Sequence, residues 1–327
     1  MKSNNAITPI PKGNVLQAAS LLLVFGVAGG TLVTHYGQDI WRWSEARWGH
    51  TGAVFMWLAA LPTVWYWVIG SMYGIADVVN ACMSRRIQPE VPRPTAAEWR
   101  DLIGRLLWNT LIVEIPFIFL FVFVAMPAVG YCGSEKLSIS EAIVPAWIQA
   151  AKTASVQPLA AMLESAGADC VAVTPSGWQI AAAFAWSLLW VDFTFFGAHY
   201  ALHKLPGAYR AIHKLHHRFT APCALAAKYA HPIEHFVGNL IPVTCGPMLL
   251  GAHPLVSVLW VLMGLTSTMN AHSGYYLPFL PPGHRHDRHH EFFNVEYGSG
   301  FGFSDMLAGT RWEHYMAKQA DKKQKAA

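Results

Sequence analysis

Charge is what this sequence has least of, and its scarcity excludes most soluble folds. Lys, Arg, Asp and Glu make up 13% of the 327 residues, against roughly 25% in an ordinary soluble domain. Paired cysteines are missing too: the five cysteines form no CxxC motif, so no cysteine zinc site is encoded. Neither the HExxH motif of zinc proteases nor the ExxH of carboxylate-bridged di-iron bundles occurs. No nucleic-acid partner is expected.

Long uncharged runs take the place of the missing charge. Residues 15–34, 51–76 and 106–131 are three such runs, the last interrupted only by Glu114. A fourth, 178–191, continues past Asp192 towards residue 198. About 20 helical residues cross a hydrocarbon core of about 30 Å, so the chain reads as a polytopic membrane protein. The first run is read as a retained anchor rather than a cleaved signal. Residues 236–271 carry no charge either, but Pro242, Pro247, Gly251 and Pro254 punctuate them. Proline breaks a helix interior, so this stretch is expected to be a re-entrant hairpin of two short helices.

The expected architecture is therefore all-α. It has about four transmembrane helices, the hairpin and a cytosolic, histidine-rich helical cap. Arg85, Arg86, Arg93, Arg100 and Arg105 concentrate in loop 81–105, whereas 35–50 holds only Arg42 and Arg47, and 132–177 only Lys136 and Lys152. Positive charge stays on the cytosolic side, which makes 81–105 cytosolic and 132–177 lumenal. The expected divisions are a tail at 1–14, a transmembrane part at 15–198, a catalytic region at 199–314 and a basic tail at 315–327. In that last tail, Lys323 and Lys325 of "KKQKAA" match a dilysine signal for retrieval to the endoplasmic reticulum. A disulfide between Cys132 and Cys170 is compatible with a lumenal loop.

Histidine is where the remaining polarity collects. Of 16 histidines, 13 lie between His199 and His290. They form "HYALH" (199–203), "HKLHH" (213–217) and "HDRHH" (286–290). Residues i, i+3 and i+4 share a helical face, so each HxxHH is expected to converge on one point. A lone histidine in such a chain is ordinarily a hydrogen-bonded interior residue. Eight imidazoles in three ordered boxes are instead enough for two metal ions with open positions, because burying them unpartnered is costly. Asp192, seven residues before His199, is the expected carboxylate behind a ligand. Glu114 lies within a hydrophobic run, where an acid is functional by default, but Pro116 and nearby Arg105 favour a structural role.

These motifs resemble the fatty acid hydroxylase/sterol desaturase superfamily, and most closely its C4-methylsterol oxidases. "DFTFFGAHYALHK", "IHKLHHRFTAPCALAAKYAHPIEHF", "NAHSGYYLP" and "FSDMLAGT" carry the resemblance, with "RRIQPEVPRP" and "LLWNTLIVEIPF" upstream. It implies an iron-dependent monooxygenase of the endoplasmic reticulum, using two Fe ions, O2 and electrons from NAD(P)H through cytochrome b5 and its reductase. The implied ligands are His199, His203, His213, His216, His217, His286, His289 and His290, with His272 as a ninth. His231 is implied as either a ligand or a turn-former. No catalytic residue beyond the ligands is implied, and the substrate would be a sterol entering from the lipid bilayer.

The third box has one histidine fewer than the double-His form of many methylsterol oxidases, and "FSD" stands where a Trp-Asp is usual. A sterol side-chain hydroxylase, a sphingoid-base C4-hydroxylase, a C5-sterol desaturase and, outside enzymes, a membrane metal transporter therefore remain alternatives.

Overall fold

The computed structural model describes residues 15–121, 174–300 and 302–326. The tail at 1–14, most of loop 132–177 and the Cys132–Cys170 pair lie outside them. Among the described residues the secondary structure is helical, and the single β-bridge joins Arg86 to Tyr275.

Helices α1 (Val15–Leu21), α2 (Gly30–Phe55) and α3 (Leu61–Val78) run into one another through π-helical turns. The two first hydrophobic runs thus belong to one tract, which reverses at Gly49. There φ is 71°, a left-handed value that glycine adopts without a Cβ penalty. Trp57 Nε1 donates to Ser44 Oγ at 3.0 Å across this reversal. Residues 35–50, expected as a loop, are instead helical up to the break. The polar residues that suggested a loop are spaced round a helix whose apolar side, including Trp41, is buried.

The third span also begins earlier than expected. Thr95 and Glu98 form a reciprocal cap at the start of α4 (Ala96–Asn109). The helix then continues through a π turn into α5 (Ile115–Leu120), so only the first part of 81–105 is a loop. A second capping box, Ser176 with Gln179, starts α6 (Gly177–Lys204), the longest uninterrupted helix among the described residues.

The hairpin stretch forms a π turn (His235–Leu240) leading into α7 (Ile241–Leu249), then α8 (Pro254–His272). Pro254 occupies the first turn of α8, where the missing N–H costs nothing, and Pro242 falls where the π turn passes into α7. Trp186 of α6 donates to the Gly246 carbonyl at 3.0 Å. A Cβ on Gly246 would lie 3.1 Å from Ser187 Cα, so the small residue permits the close approach of α6 and α7. Against the expectation of two short helices, α8 has 19 residues and is long and apolar enough to span. Among the described residues the four candidate spans are Ala19–Val78, Ala96–Leu120, Gly177–Lys204 and Pro254–His272.

Two apolar clusters bracket α8. Trp41, Phe184, Val256, Trp260 and Met263 form one; Tyr66, Leu102, Leu106, Phe219, Leu225 and Met269 form the other. Outward faces carry Val24, Leu32, Val64, Met72, Leu111, Phe119 and Leu189, all exposed. Such a surface is suited to lipid rather than water. Beyond α8 follow α9 (His284–Phe292), α10 (Phe303–Ala308) and α11 (Trp312–Ala326). Loop 81–95 packs on this region: Ile87 N donates to Gly274 O at 2.9 Å, and Gln88 reaches Asp287 at 2.8 Å. The arginine-rich loop and α9 therefore share one side of the membrane.

Candidate metal centre

Four elements bring the histidines together. His199 and His203 lie one turn apart on α6. A 3-10 turn, His213–Arg218, supplies His213, His216 and His217. His272 ends α8, and α9 supplies His286, His289 and His290. Their ring nitrogens form two groups, His199/His203/His213/His217/His289 and His216/His272/His286/His290, each with its nitrogens within 4.8 Å of one another. Neither HxxHH box converges on one point. In each, the i and i+4 histidines join one group and the i+3 histidine joins the other.

The nitrogen that faces the neighbouring rings is Nε2 in each of these contacts. Within the group of five, Nε2 atoms lie 3.0 Å apart for His199–His213, 2.9 Å for His213–His217 and 3.1 Å for His203–His289. Within the group of four the separations are 3.3 Å for His216–His272, 2.9 Å for His272–His286 and 3.1 Å for His286–His290.

Opposite nitrogens explain why these contacts are not ordinary hydrogen bonds. The Nδ1–H groups of His199 and His289 donate to the carbonyls of Tyr297 and Val295, both at 2.7 Å. His216 donates to Tyr229 O at 3.3 Å, His272 to Thr268 O at 2.8 Å and His290 to Phe219 O at 3.0 Å. A carbonyl can only accept, so these rings carry their proton on Nδ1 and present a bare lone pair at Nε2. His216 and His272 therefore aim two lone pairs at each other, which repel unless a cation sits between them. Nitrogens at about 2.1 Å from a metal, held at right angles, are about 3.0 Å apart. The donor set fits two metal ions, and imidazole suits iron, zinc, copper or nickel.

Burial keeps the rings in the ligating form. Desolvation pushes His213 down to about 3, His216 to about 4 and His289 to about 3, and it lowers His217, His286 and His290 as well. All six stay neutral at physiological pH, as metal ligation requires.

The carboxylate behind the ligands is Glu234, which sequence reasoning passed over. His213 Nδ1 donates to its Oε1 at 2.7 Å, giving a carboxylate–histidine–metal arrangement. Burial alone pushes the Glu234 carboxyl up to about 8, and a metal cation bound beyond His213 would draw it down again, so the carboxylate form belongs to the metal-loaded centre. Asp192 touches none of the nine histidines. Two helical turns separate it from His199, about 10 Å along the axis, beyond side-chain reach. Its oxygens accept instead from Ser304 N and Oγ, both at 2.7 Å, and from Phe303 N and Ser299 Oγ, both at 3.2 Å. His231 is likewise outside both groups, and its Nδ1 accepts from Ile233 N at 3.2 Å as a helix cap.

Buried acids hold the loop that carries the carbonyl acceptors. Asp305, the acid of "FSD", accepts from Tyr297 N at 2.9 Å and Gly298 N at 2.8 Å. Glu296 accepts from Arg285 Nε at 2.7 Å and Trp312 N at 2.9 Å. Deeper in the helices, Glu114 has a structural partner set: Lys228 Nζ at 2.9 Å and His235 Nε2 at 2.8 Å. His253 caps α8 through Leu255 N, and His284 lies outside both groups.

Residues 184–310 match the family model for fatty acid hydroxylase. This segment is similar to a fatty acid hydroxylase domain. It contains all nine grouped histidines, Glu234 and Asp305. Fatty acid hydroxylase domain-containing protein 2 of Homo sapiens is 46% identical over 116 residues, covering 36% of this chain and 34% of that protein. Methylsterol monooxygenase 1 of Rattus norvegicus is 37% identical over 139 residues, covering 38% of this chain and 46% of that protein. A methylsterol monooxygenase of Aspergillus fumigatus is 36% identical over 151 residues, covering 42% and 50%. The chain thus spans a third to a half of the length of these relatives. No solved structure matches the chain.

Proposed function

We propose that this protein is a membrane-bound di-iron monooxygenase that oxidises the C4-methyl group of a sterol. The observation that carries the reading is the convergence of nine imidazoles into two adjacent groups, five of them fixed by backbone carbonyls with a lone pair at Nε2. The methylsterol monooxygenases among the relatives point to the substrate.

In the first group, His199, His203, His213, His217 and His289 would hold one iron; His216, His272, His286 and His290 would hold the other. Iron bound there would supply reductive activation of O2 sufficient to break an unactivated C–H bond. The balanced reaction is R–CH3 + O2 + 2 electrons + 2 protons giving R–CH2OH + water. Electrons would come from NAD(P)H through cytochrome b5 and its reductase.

The chain's own contribution is positioning and exclusion. Carbonyls of Tyr229, Thr268, Val295, Tyr297 and Phe219 fix the ring tautomers. Glu234 orients His213 and balances part of the metal charge. Nitrogen ligands also resist an oxidant that would consume thiolates. α6 and α8 rise from the membrane to the centre, so an apolar substrate can arrive without crossing water. The arginine-rich loop packed beside α9 supports a centre on the cytosolic face, and the Lys323/Lys325 tail supports residence in the endoplasmic reticulum membrane.

The test is a sterol profile in a eukaryotic cell lacking its own C4-methylsterol oxidase. Mass spectrometry should show 4,4-dimethylsterols falling and 4-carboxy or demethylated sterols rising with the intact protein and not with His289→Ala. An unchanged profile from folded, iron-loaded protein would sink the methylsterol assignment.

A further inference from the structure

A small cavity of about 20 Å³ lies against both histidine groups. It has room for about one water-sized group. Its walls come from α6, the His235–Leu240 π turn and α8, and include Phe195, Leu202, Glu234, Gly238 and Thr268 beside His199, His213, His216 and His272. Two of those elements are membrane-length helices, so the cavity is placed where a lipid would bring its reacting end.

One wall group is unfinished. Glu234 is only 5% exposed, its Oε1 is taken by His213, and its Oε2 is buried without a hydrogen-bond partner. A buried acceptor left unpaired is costly, and here the deficit adjoins a space beside the metal groups. We infer that Glu234 Oε2 accepts a hydrogen bond from a hydroxyl of the substrate, so that the protein oxidises lipids close to an existing hydroxyl group. This rests on the oxygenase reading and narrows its substrate class.

Other donors fit less well. An ammonium group would be repelled by two adjacent metal cations, and a substrate carboxylate would be repelled by Glu234 itself. A neutral hydroxyl donates without adding charge, and Phe195 and Leu202 suit the hydrocarbon attached to it. The His213 ring, hydrogen-bonded to Glu234 at 2.7 Å, links that acid to the metal groups. The carbon presented to them is therefore about two or three bonds from the hydroxyl, by the reach of a hydrogen bond of about 2.7 Å. Water can hold the place until the lipid arrives.

Two measurements on the reconstituted, iron-loaded full chain test this. The first is equilibrium binding, read by tryptophan fluorescence. It compares a 4,4-dimethyl-3-hydroxysterol and a 3-hydroxy sphingoid base, each with its 3-deoxy partner. At least one hydroxylated lipid should bind about ten-fold or more tighter than its deoxy partner, the margin of a hydrogen bond to a charged acceptor. Glu234→Gln, which keeps an oxygen for His213 but offers an amide N–H in place of Oε2, should bring that pair within about threefold. Gly238→Ala is the second variant. A Cβ there meets Glu234 Cγ at an ordinary 3.7 Å, so the backbone accepts it while the side chain fills the cavity. Binding of the hydroxylated lipid should be lost with iron content unchanged.

The second measurement is the position of the new oxygen in any product. Oxidation of a sphingoid base beside its hydroxyl would support this inference while removing the methylsterol reading. Oxidation of a C4-methyl group with no preference over the deoxy sterol would do the opposite. Equal binding within both pairs, or a product oxidised far from any hydroxyl, overturns the inference.

Discussion

The five-histidine and four-histidine groups are built from the same boxes but are held in different ways. In the group of four, His216, His272 and His290 each donate to a backbone carbonyl, and all four rings are buried. The group of five leans on the 293–300 loop for His199 and His289, on Glu234 for His213, and leaves His203 partly exposed. His217 Nδ1 has no partner at all. One group is fixed by helices and turns already packed in the core. The other depends on a loop pinned by acids, so disturbance of the fold should reach the group of five first.

The comparison would break most visibly at the ligands. His289→Ala should reduce bound iron from about two ions per chain towards one and abolish product formation, as metal analysis and mass spectrometry would show. If His290→Ala and His289→Ala instead both empty the centre completely, the two groups are a single cooperative unit. Next in size is a site remote from both. Glu114→Gln strands Lys228 and His235, and loss of one partner of a buried pair costs about 3–5 kcal/mol. A large fall in thermal stability, with the iron ratio of the surviving protein unchanged, is expected.

Asp305→Asn tests the loop directly. It weakens the acceptors for Tyr297 and Gly298 N–H, and should lower iron affinity at the group of five by about 10- to 100-fold. Competition with a chelator would show one ion leaving well before the other; equal loss of both would remove the proposed asymmetry. The smallest effect is pH. Burial lowers His216 to about 4 from a free value of about 6.5, so below about 6.5 the unfolded chain binds more protons than the folded one. Metal-free protein should lose stability as pH falls from about 6.5 to 4, and gain it as pH rises. Melting curves across that window check the sign.

Much of this was legible in the residues. The nine histidines that meet in the structure are those singled out by box spacing and by family resemblance, and the helical character follows from the long uncharged runs. The partition of each box was not legible. On α9, residue i+4 lies about 40° to one side of residue i and i+3 about 60° to the other. Spacing alone permits one site or two, and the position of His272 and α6 decides. Asp192 was the expected carboxylate because it shares a helical face with His199; rise along the axis defeats that argument. Glu234, 21 residues from His213, becomes its partner only when the segment between them folds back. Lys228 likewise meets Glu114 only in three dimensions, and the run at 35–50 looked like a loop because its polar residues hid one buried apolar side.

The division of the boxes also has a consequence for chain topology. Each group contains histidines from both 213–217 and 286–290. Two ions would therefore close the same long loop twice, as a pair of staples rather than one. A second crosslink across an already closed loop costs little further entropy, so the ion bound first prepares the place of the other. Chelation should then loosen everything between the boxes, and protease cuts or hydrogen exchange in 218–285 would report the opening.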